Sequence, residues 1–558
     1  MPQTVSPIKD VEEISLRSEH APQGWWMDMG SGSNSSDQSS NNALQNLDLA
    51  VYVVEKNGKQ VFTNYGAAEL GKRDAPDNAL PLIAYAPASR LQQLGDSTFC
   101  KDHGILLPYM TGAMANGIAS VKLVTAVAKA GLLGSFGAAG LMVDQIERAI
   151  VALKTALGAT PFCANLIHSP NEKGQEQAVV DIYLRHQVQL VEASAYMALT
   201  LPVVRYRLHG IHRDSEGNVV TPNNIIAKAS RIEVAERWFS PAPEKFLKSL
   251  LEAGEISEEQ AELARCVPMA QDLTVEADSG GHTDNRPAIT LIPTIVALRD
   301  RLQAQFNYSK LLRVGAAGGI ATPASAAAAF AMGAAYIVTG TVNQACVESG
   351  SSDLVRQMLA DAKQADVAMA PAVDMFEMGV KLQVLKRGTM FPMRGNKLYE
   401  LYRAYECIED IPQKELDSLE KTIFKASAIE IWQNTRSFFL ERDPEQIEKA
   451  DKDPKHKMAL MFRWYLGLSS RWANAGQADR QVDYQVWCGP AMGAFNEWVK
   501  DSVLDAPENR TVVNVALNIM YGAALVTRLN MLRHQGAKIS PDDVNARPLS
   551  FDSLKKYL

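Results

Sequence analysis

The sequence predicts an α/β fold, a TIM (β/α)8 barrel carrying additions, on three observations. From about residue 105, short apolar runs ending in small residues alternate with helical segments. Eight such units fit between residues 105 and 347, close to the about 250 residues a TIM barrel takes. The series closes on two Gly-containing strand ends, VGAAGGI and VTGT, at units seven and eight, where these barrels grip phosphate. An open doubly wound sheet is the rival architecture, and periodicity alone does not separate the two.

Taken in order, residues 1–47 read as an N-terminal segment and linker. MPQTVSPIKDVEEISLRSEH has early acids and no apolar centre, so it does not read as a signal peptide. GSGSNSSDQSSNN (30–42) cannot bury a core and reads as flexible. Residues 48–104 form a small β element, in which Asn57-Gly58 between two β-rich runs marks a type I′ hairpin. Barrel strands are expected near Leu106, Leu132, Phe162, Leu190, Ile225, Leu273, Leu311 and Ala335. VKLVTAVAKA after Ser120, LMVDQIERAIVALKTAL from Leu141 and ITLIPTIVALRDRL from Ile289 have helical periodicity. Residues 240–267 read as an insertion of two short helices before the sixth strand. From 348 to 558 the strand signals fade into a mainly helical region, whose aromatic amphipathic faces suit packing on the barrel or a homodimer.

Composition excludes several classes. The 558 residues are 47% hydrophobic and 21% charged, ordinary for a globular protein. With 56 Lys and Arg against 63 Asp and Glu, the net charge of -7 gives no reason to expect nucleic acid. The six cysteines include no C-x-x-C and no Cys/His cluster, so neither a metal site nor a disulfide framework is expected, and a reducing cytoplasm fits. Residues 314–347 carry no charge and could span a membrane by count. Their Gly-Gly, Thr-Pro and Asn-Gln breaks divide them into strand, turn, helix and strand, so no membrane span is expected.

Several motifs carry candidate chemistry. In LLRVGAAGGIAT a strand ends in Gly318-Gly319 before a Pro-started helix, which lets backbone N–H groups approach a phosphate. Gly340-Thr341 follow the next strand and could add donors. In DLTVEADSGGHTD, His282 stands just past a strand end behind two glycines, where its pKa suits proton transfer or carbonyl polarisation. His168, ending PFCANLIHS, is a second candidate for the same mouth. LPYMTGAMANGIAS places small residues at the first strand's end, leaving room for a flat ring. Asn165 is an amide among apolar neighbours and needs a partner. Lys228, a charge in the apolar strand NNIIAKAS, needs a phosphate, ring oxygen or carboxylate.

Together AMANGIAS, GLLGSFGAAG, PFCANLI, EADSGGH, VGAAGGI and VTGT resemble the ordered motifs of the flavin-dependent 2-nitropropane dioxygenase (nitronate monooxygenase) family. With the hairpin, the insertion and the helical C-terminal region, nearly the whole chain resembles the PfaD-type trans-acting enoyl reductases of polyunsaturated fatty acid and polyketide synthases. The resemblance implies an FMN-binding barrel. Ala113 and Met114 would line the flavin ring, Asn165 would contact it, and Gly281, Gly318, Gly319, Gly340 and Thr341 would face the phosphate. His282 matches the family's active-site histidine. The simple family has Glu-Ala before Gly-Gly-His where this chain has Asp278-Ser279, so Glu276 aligns with the family's flavin contact only across a one-residue deletion. NADPH or NADH would be the reductant and an acyl carrier protein the partner. The basic run 378–399, with Lys381, Lys386, Arg387, Arg394 and Lys397, is the candidate face for that acidic carrier. The alternatives are a nitronate monooxygenase and a non-catalytic scaffold component of a synthase.

Overall fold

The computed structural model describes residues 23–29, 40–71, 74–168, 174–540, 544 and 547–558. Most of the expected linker, 30–39, and all of 1–22 lie outside the described residues, while Ser40–Gln45 is helical. The chain divides into two compact units: Met1–Arg90 with Ala524–Ala546, and Leu91–Ala523 with Arg547–Leu558.

The smaller unit is built on a five-stranded antiparallel sheet in the order Lys59–Thr63, Val51–Lys56, Leu80–Ala86, Gly24–Met27, Ala67–Leu70. Asn57 (φ 53°) and Gly58 (φ 71°) both sit in the left-handed region, as a type I′ hairpin turn requires. Gly24–Met27 enters the sheet from before residue 48, because Trp26 buries its ring with Val54 and Leu82. Arg528, 1% exposed, donates to the backbone carbonyls of Leu44, Asn46, Leu47, Leu49 and Pro87 within this unit.

The larger unit holds a closed barrel of eight parallel strands: Tyr109–Thr111, Leu133–Phe136, Cys163–Ile167, Leu190–Ser194, Asn224–Ala229, Asp272–Glu276, Arg313–Ala317 and Ile337–Thr339. The eighth strand closes on the first with Ile337 opposite Tyr109. All eight expected strands are present, although Leu106 and Leu311 are exposed and precede theirs. Helices Val121–Lys129, Val143–Leu157 and Ala288–Phe306 stand where the periodicity puts them. The insertion is the pair Glu244–Glu252 and Glu258–Ala264, the second started by a Ser257/Gln260 capping box.

Helix Ser97–His103 belongs to the barrel unit and not to the β element that reads as 48–104, because it plugs the barrel bottom. Phe99 stacks on Tyr336 at 3.9 Å, and a Cβ at Gly315 would lie 2.3 Å from that tyrosine ring, so only glycine fits there. The uncharged stretch 314–347 resolves into a barrel strand, helix Pro323–Ala331, the last strand and a short helix, all inside this unit. A different helix, Val512–His534, is long and apolar enough to cross a membrane, and 78% of its apolar window is buried within the protein.

The region after 348 is mainly helical but contains one β element the periodicity does not show. Val367–Pro371 and Lys381–Leu385 form an antiparallel hairpin, and the second strand pairs with Gly281–His282. The signal is weak because AMAPAVDMFEMGV mixes proline, glycine and charges, and tertiary pairing decides the conformation.

Candidate active site

The C-terminal ends of the barrel strands converge on one mouth, the end at which TIM barrels carry their chemistry. After the seventh strand, Gly318 (φ 83°) and Gly319 (φ 76°) adopt left-handed backbone. A Cβ at Gly318 would meet the Ala277 carbonyl group at 2.6 Å, so glycine is needed for the seventh and sixth strand ends to lie together. A Cβ at Gly319 or Gly340 would meet nothing within 4 Å. The N–H groups of Gly318, Gly319 and Gly340 donate to no protein acceptor among the described residues. Gly319 and Gly340 face open space and, with the Gly318 N–H and the N-terminus of Pro323–Ala331, form a cradle that suits a phosphate.

The first strand's end is held by its neighbours. Ala113 N–H donates to Glu192 Oε2 at 2.8 Å. A Cβ at Gly137 would lie 1.7 Å from the Met114 carbonyl oxygen, so the Ala113-Met114 segment rests directly on the second strand's end. Asn165, 4% exposed, gives both amide protons away, to the Glu192 carbonyl at 3.0 Å and Ser194 Oγ at 3.1 Å. Its amide oxygen is what it can offer a ring.

Lys228 finds carboxylates. Its Nζ lies 2.8 Å from Glu276 Oε1 and 3.7 Å from Glu192 Oε1. Burial disfavours the ammonium, but the charges of Glu276 and Glu192 outweigh it and raise the pKa, so Lys228 stays charged. The chain from Ala113 N–H through Glu192 and Lys228 to Glu276 thus ties four strand ends together. Glu192 goes unrecognised in the sequence, yet an acid inside the apolar run QLVEAS carries the same signal as Lys228.

His282 is half-exposed at the rim, and its Nε2 is 3.1 Å from Asp374 Oδ1. Burial works against the imidazolium, but the hydrogen bond and charge of Asp374, with Glu276 beyond, raise the pKa. The loop before it is clamped from the C-terminal region. Gln383 Nε2 donates to Asp278 Oδ1 and to the Ser279 carbonyl. Cys488 and Gly489 backbone packs so closely on Gly280 that a Cβ there would come within 2.8 Å. Gly489 N–H also reaches Thr341 Oγ1 at 3.5 Å, so Thr341 is engaged by protein. Asp374 and the 486–489 segment carry no sequence signal, since each meets the site only through the fold.

Two of the candidate residues have protein partners. The His168 ring is held by Glu176 at 2.9 Å and stacks on Tyr196. Arg394 pairs with the fully buried Asp483, so it supports the fold and leaves the basic run 378–399 without one of its charges.

Comparison with known proteins agrees with this fold. Residues 98–394 match the nitronate monooxygenase family, and 405–484 match the inserted helical domain of [acyl-carrier-protein] S-malonyltransferase. The chain is 53% identical over 451 residues to a polyunsaturated fatty acid synthase protein of Thraustochytrium sp., covering 80% of this chain and 30% of that protein. It is 45% identical over 441 residues to the polyketide biosynthesis protein PksE of Bacillus subtilis, covering 79% of this chain and 57% of that one. It thus spans only part of these curated relatives. The enoyl reductase domain of MlnA, from the macrolactin biosynthesis cluster of Bacillus amyloliquefaciens, is covered completely, together with 80% of this chain, at 39% identity and a TM-score of 0.75. The barrel, its motif order and these matches show that the chain belongs to the nitronate monooxygenase family and, within it, to the PfaD-type enoyl reductases.

Proposed function

We propose that the chain reduces the 2,3 double bond of enoyl-acyl-carrier-protein thioesters with FMN and NAD(P)H, acting in trans in the cytoplasm during polyunsaturated fatty acid or polyketide synthesis. The observation that carries this reading is His282, paired with Asp374, at the same barrel mouth as Gly319 and Gly340, which face open space beside the unbonded N–H of Gly318.

The residues present fit FMN. The cradle supplies unpaired N–H donors for its phosphate. The Ala113-Met114 segment offers small, backbone-rich surface for a ring, and Asn165 a free amide oxygen. Glu192 fixes the first of these by its bond to Ala113, while Lys228 and Glu276 supply charge at the strand ends. When bound, FMN would supply the hydride-transfer chemistry that links a reduced nicotinamide to the substrate β-carbon. His282 supplies the other half: in its protonated form it stabilises negative charge on the thioester oxygen and holds the proton destined for the α-carbon.

The purified protein is expected to show a flavin absorption band that NADPH bleaches and crotonyl thioester restores under anaerobic conditions. No band after FMN addition would favour a non-catalytic scaffold. Aerobic consumption of a nitroalkane nitronate, without crotonyl-dependent reoxidation, would favour a nitronate monooxygenase.

The carrier is expected to dock on the exposed part of the basic run. Lys386 and Arg387 are exposed, and Arg387 has only a 3.7 Å pairing with Asp366. Reversing both charges should slow reduction of carrier-bound substrate several-fold more than reduction of a small thioester, an effect that fades with added salt. Equal losses on the two substrates would count against docking there.

A further inference from the structure

We propose that Asp374 is the positioning residue of the active site, accepting a hydrogen bond from His282 Nε2 so that Nδ1 is the nitrogen that meets the substrate. The role of His282 rests on the enoyl-reductase reading; the pairing itself does not.

The two residues are 92 apart in sequence, and their 3.1 Å contact joins two segments that the backbone already fixes. His282 lies opposite Leu382 in an antiparallel pairing with the hairpin strand Lys381–Leu385. Asp374 stands in the loop between the two hairpin strands, which is closed by Ala372 N–H to the Val380 carbonyl at 2.9 Å and Gly379 N–H to the Phe376 carbonyl at 3.0 Å. Phe376, fully buried, anchors that loop against Tyr399, Tyr402 and Phe462. Gln383, from the same hairpin, binds Asp278 and the Ser279 carbonyl just before the histidine. The hairpin therefore carries the acid and also holds the loop that carries the imidazole.

Among the described residues, Glu276 also acts on His282 and favours the imidazolium. Asp278 is held by Gln383 and Asn285, and Asp284 by Arg231 and Ser230. On the helix side, Arg463 acts on Asp374 and pairs with Glu377, which also lies 3.7 Å from His456. Lys381 opens the hairpin strand and is exposed. With Nε2–H given to Asp374, imidazolium Nδ1–H is the donor left for the thioester. Hydride to the β-carbon and this proton to the α-carbon account for both hydrogens added, and solvent reprotonates the half-exposed ring. The catalytic barrel is thus incomplete without a hairpin that lies after it in sequence.

The test is an NMR titration of His282 in the full-length, histidine-labelled chain, its signal assigned with His282→Ala. His282 should titrate above the ordinary value of about 6.5, and Asp374→Asn should lower its proton affinity about tenfold or more. Asp374→Glu should restore most of the loss. An unchanged midpoint in Asp374→Asn overturns the proposal. If that variant does not fold, a wild-type midpoint at or below the ordinary value does the same. In turnover of a trans-2-enoyl thioester, the alkaline limb of kcat/KM should move down in Asp374→Asn by the same interval, while KM for NADPH holds. If wild type shows the raised midpoint but no enoyl reduction, the enoyl-reductase reading fails and the pairing stands.

Discussion

His282→Ala is expected to lower enoyl-thioester reduction by about 10²–10⁴-fold, the usual worth of a positioned acid or base, while the protein still retains its flavin. The separation follows from geometry. The glycine cradle, the Ala113-Met114 segment and Asn165 do not depend on the imidazole, whose side-chain partner is Asp374. Reduction of the bound flavin by NADPH should therefore proceed at a near-normal rate, and only its reoxidation by crotonyl thioester should slow. Because Asp374 raises the pKa of His282 and the protonated form is the active one, wild-type activity should fall as pH rises through that raised value. Stopped-flow traces of the two half-reactions read this directly. Equal slowing of both would assign the histidine to cofactor binding, and unchanged turnover would remove it from the mechanism.

The second large effect lies at the opposite end of the barrel and touches stability alone. Arg313→Met should cost about 3–5 kcal/mol, the range for breaking a buried ion pair from one side. Arg313 and Asp272 are 1% and 2% exposed and meet through two bonds of 2.6 and 3.0 Å. His103 Nε2 lies 2.8 Å from the same carboxylate, and Arg313 also reaches Asp102 at 2.7 Å. Burial pushes the Asp272 pKa up, but His103 and Arg313 overcome it and hold the group at about 2, below its ordinary 3.8. A lowered folded-state pKa contributes stability that is complete above about pH 4 and lost as pH falls toward 2, roughly 2 kcal/mol in all. In Arg313→Met, acid unfolding should accordingly begin at a higher pH. Urea unfolding at neutral pH and at pH 3 measures both effects, and a loss below about 1 kcal/mol at neutral pH would show that the network is replaceable.

Much of this architecture is legible in the sequence. The eight strands are readable because a parallel strand buried on both faces is a continuous apolar run, and Leu190, Ile225 and Leu273 lie inside theirs. Gly318, Gly319 and His282 are readable because they follow strand ends, and in this fold a strand end is a place at the mouth. Lys228 is recognisable as a charge needing a partner, although sequence leaves open which. Glu192 carries the same signal and is missed beside it, an acid whose partners stand on other strands. Arg394 shows the converse: as one of a run of basic residues it looks like surface, and the buried Asp483 that claims it is 89 residues away.

The sequence by itself determined the eight strand-helix units, the order of their motifs and the residues at the strand ends, because periodicity and backbone freedom are local properties that a short window records. Closure of the strands into a barrel is a pairing between distant segments. The tertiary structure alone decided the partners: Asp374 for His282, Glu192 and Glu276 for Lys228, and the backbone of Cys488-Gly489 against Gly280. Ion pairs, hydrogen bonds and close backbone packing are set by distance in space, and a segment from beyond the barrel leaves no local pattern to say that it will fold back over the mouth.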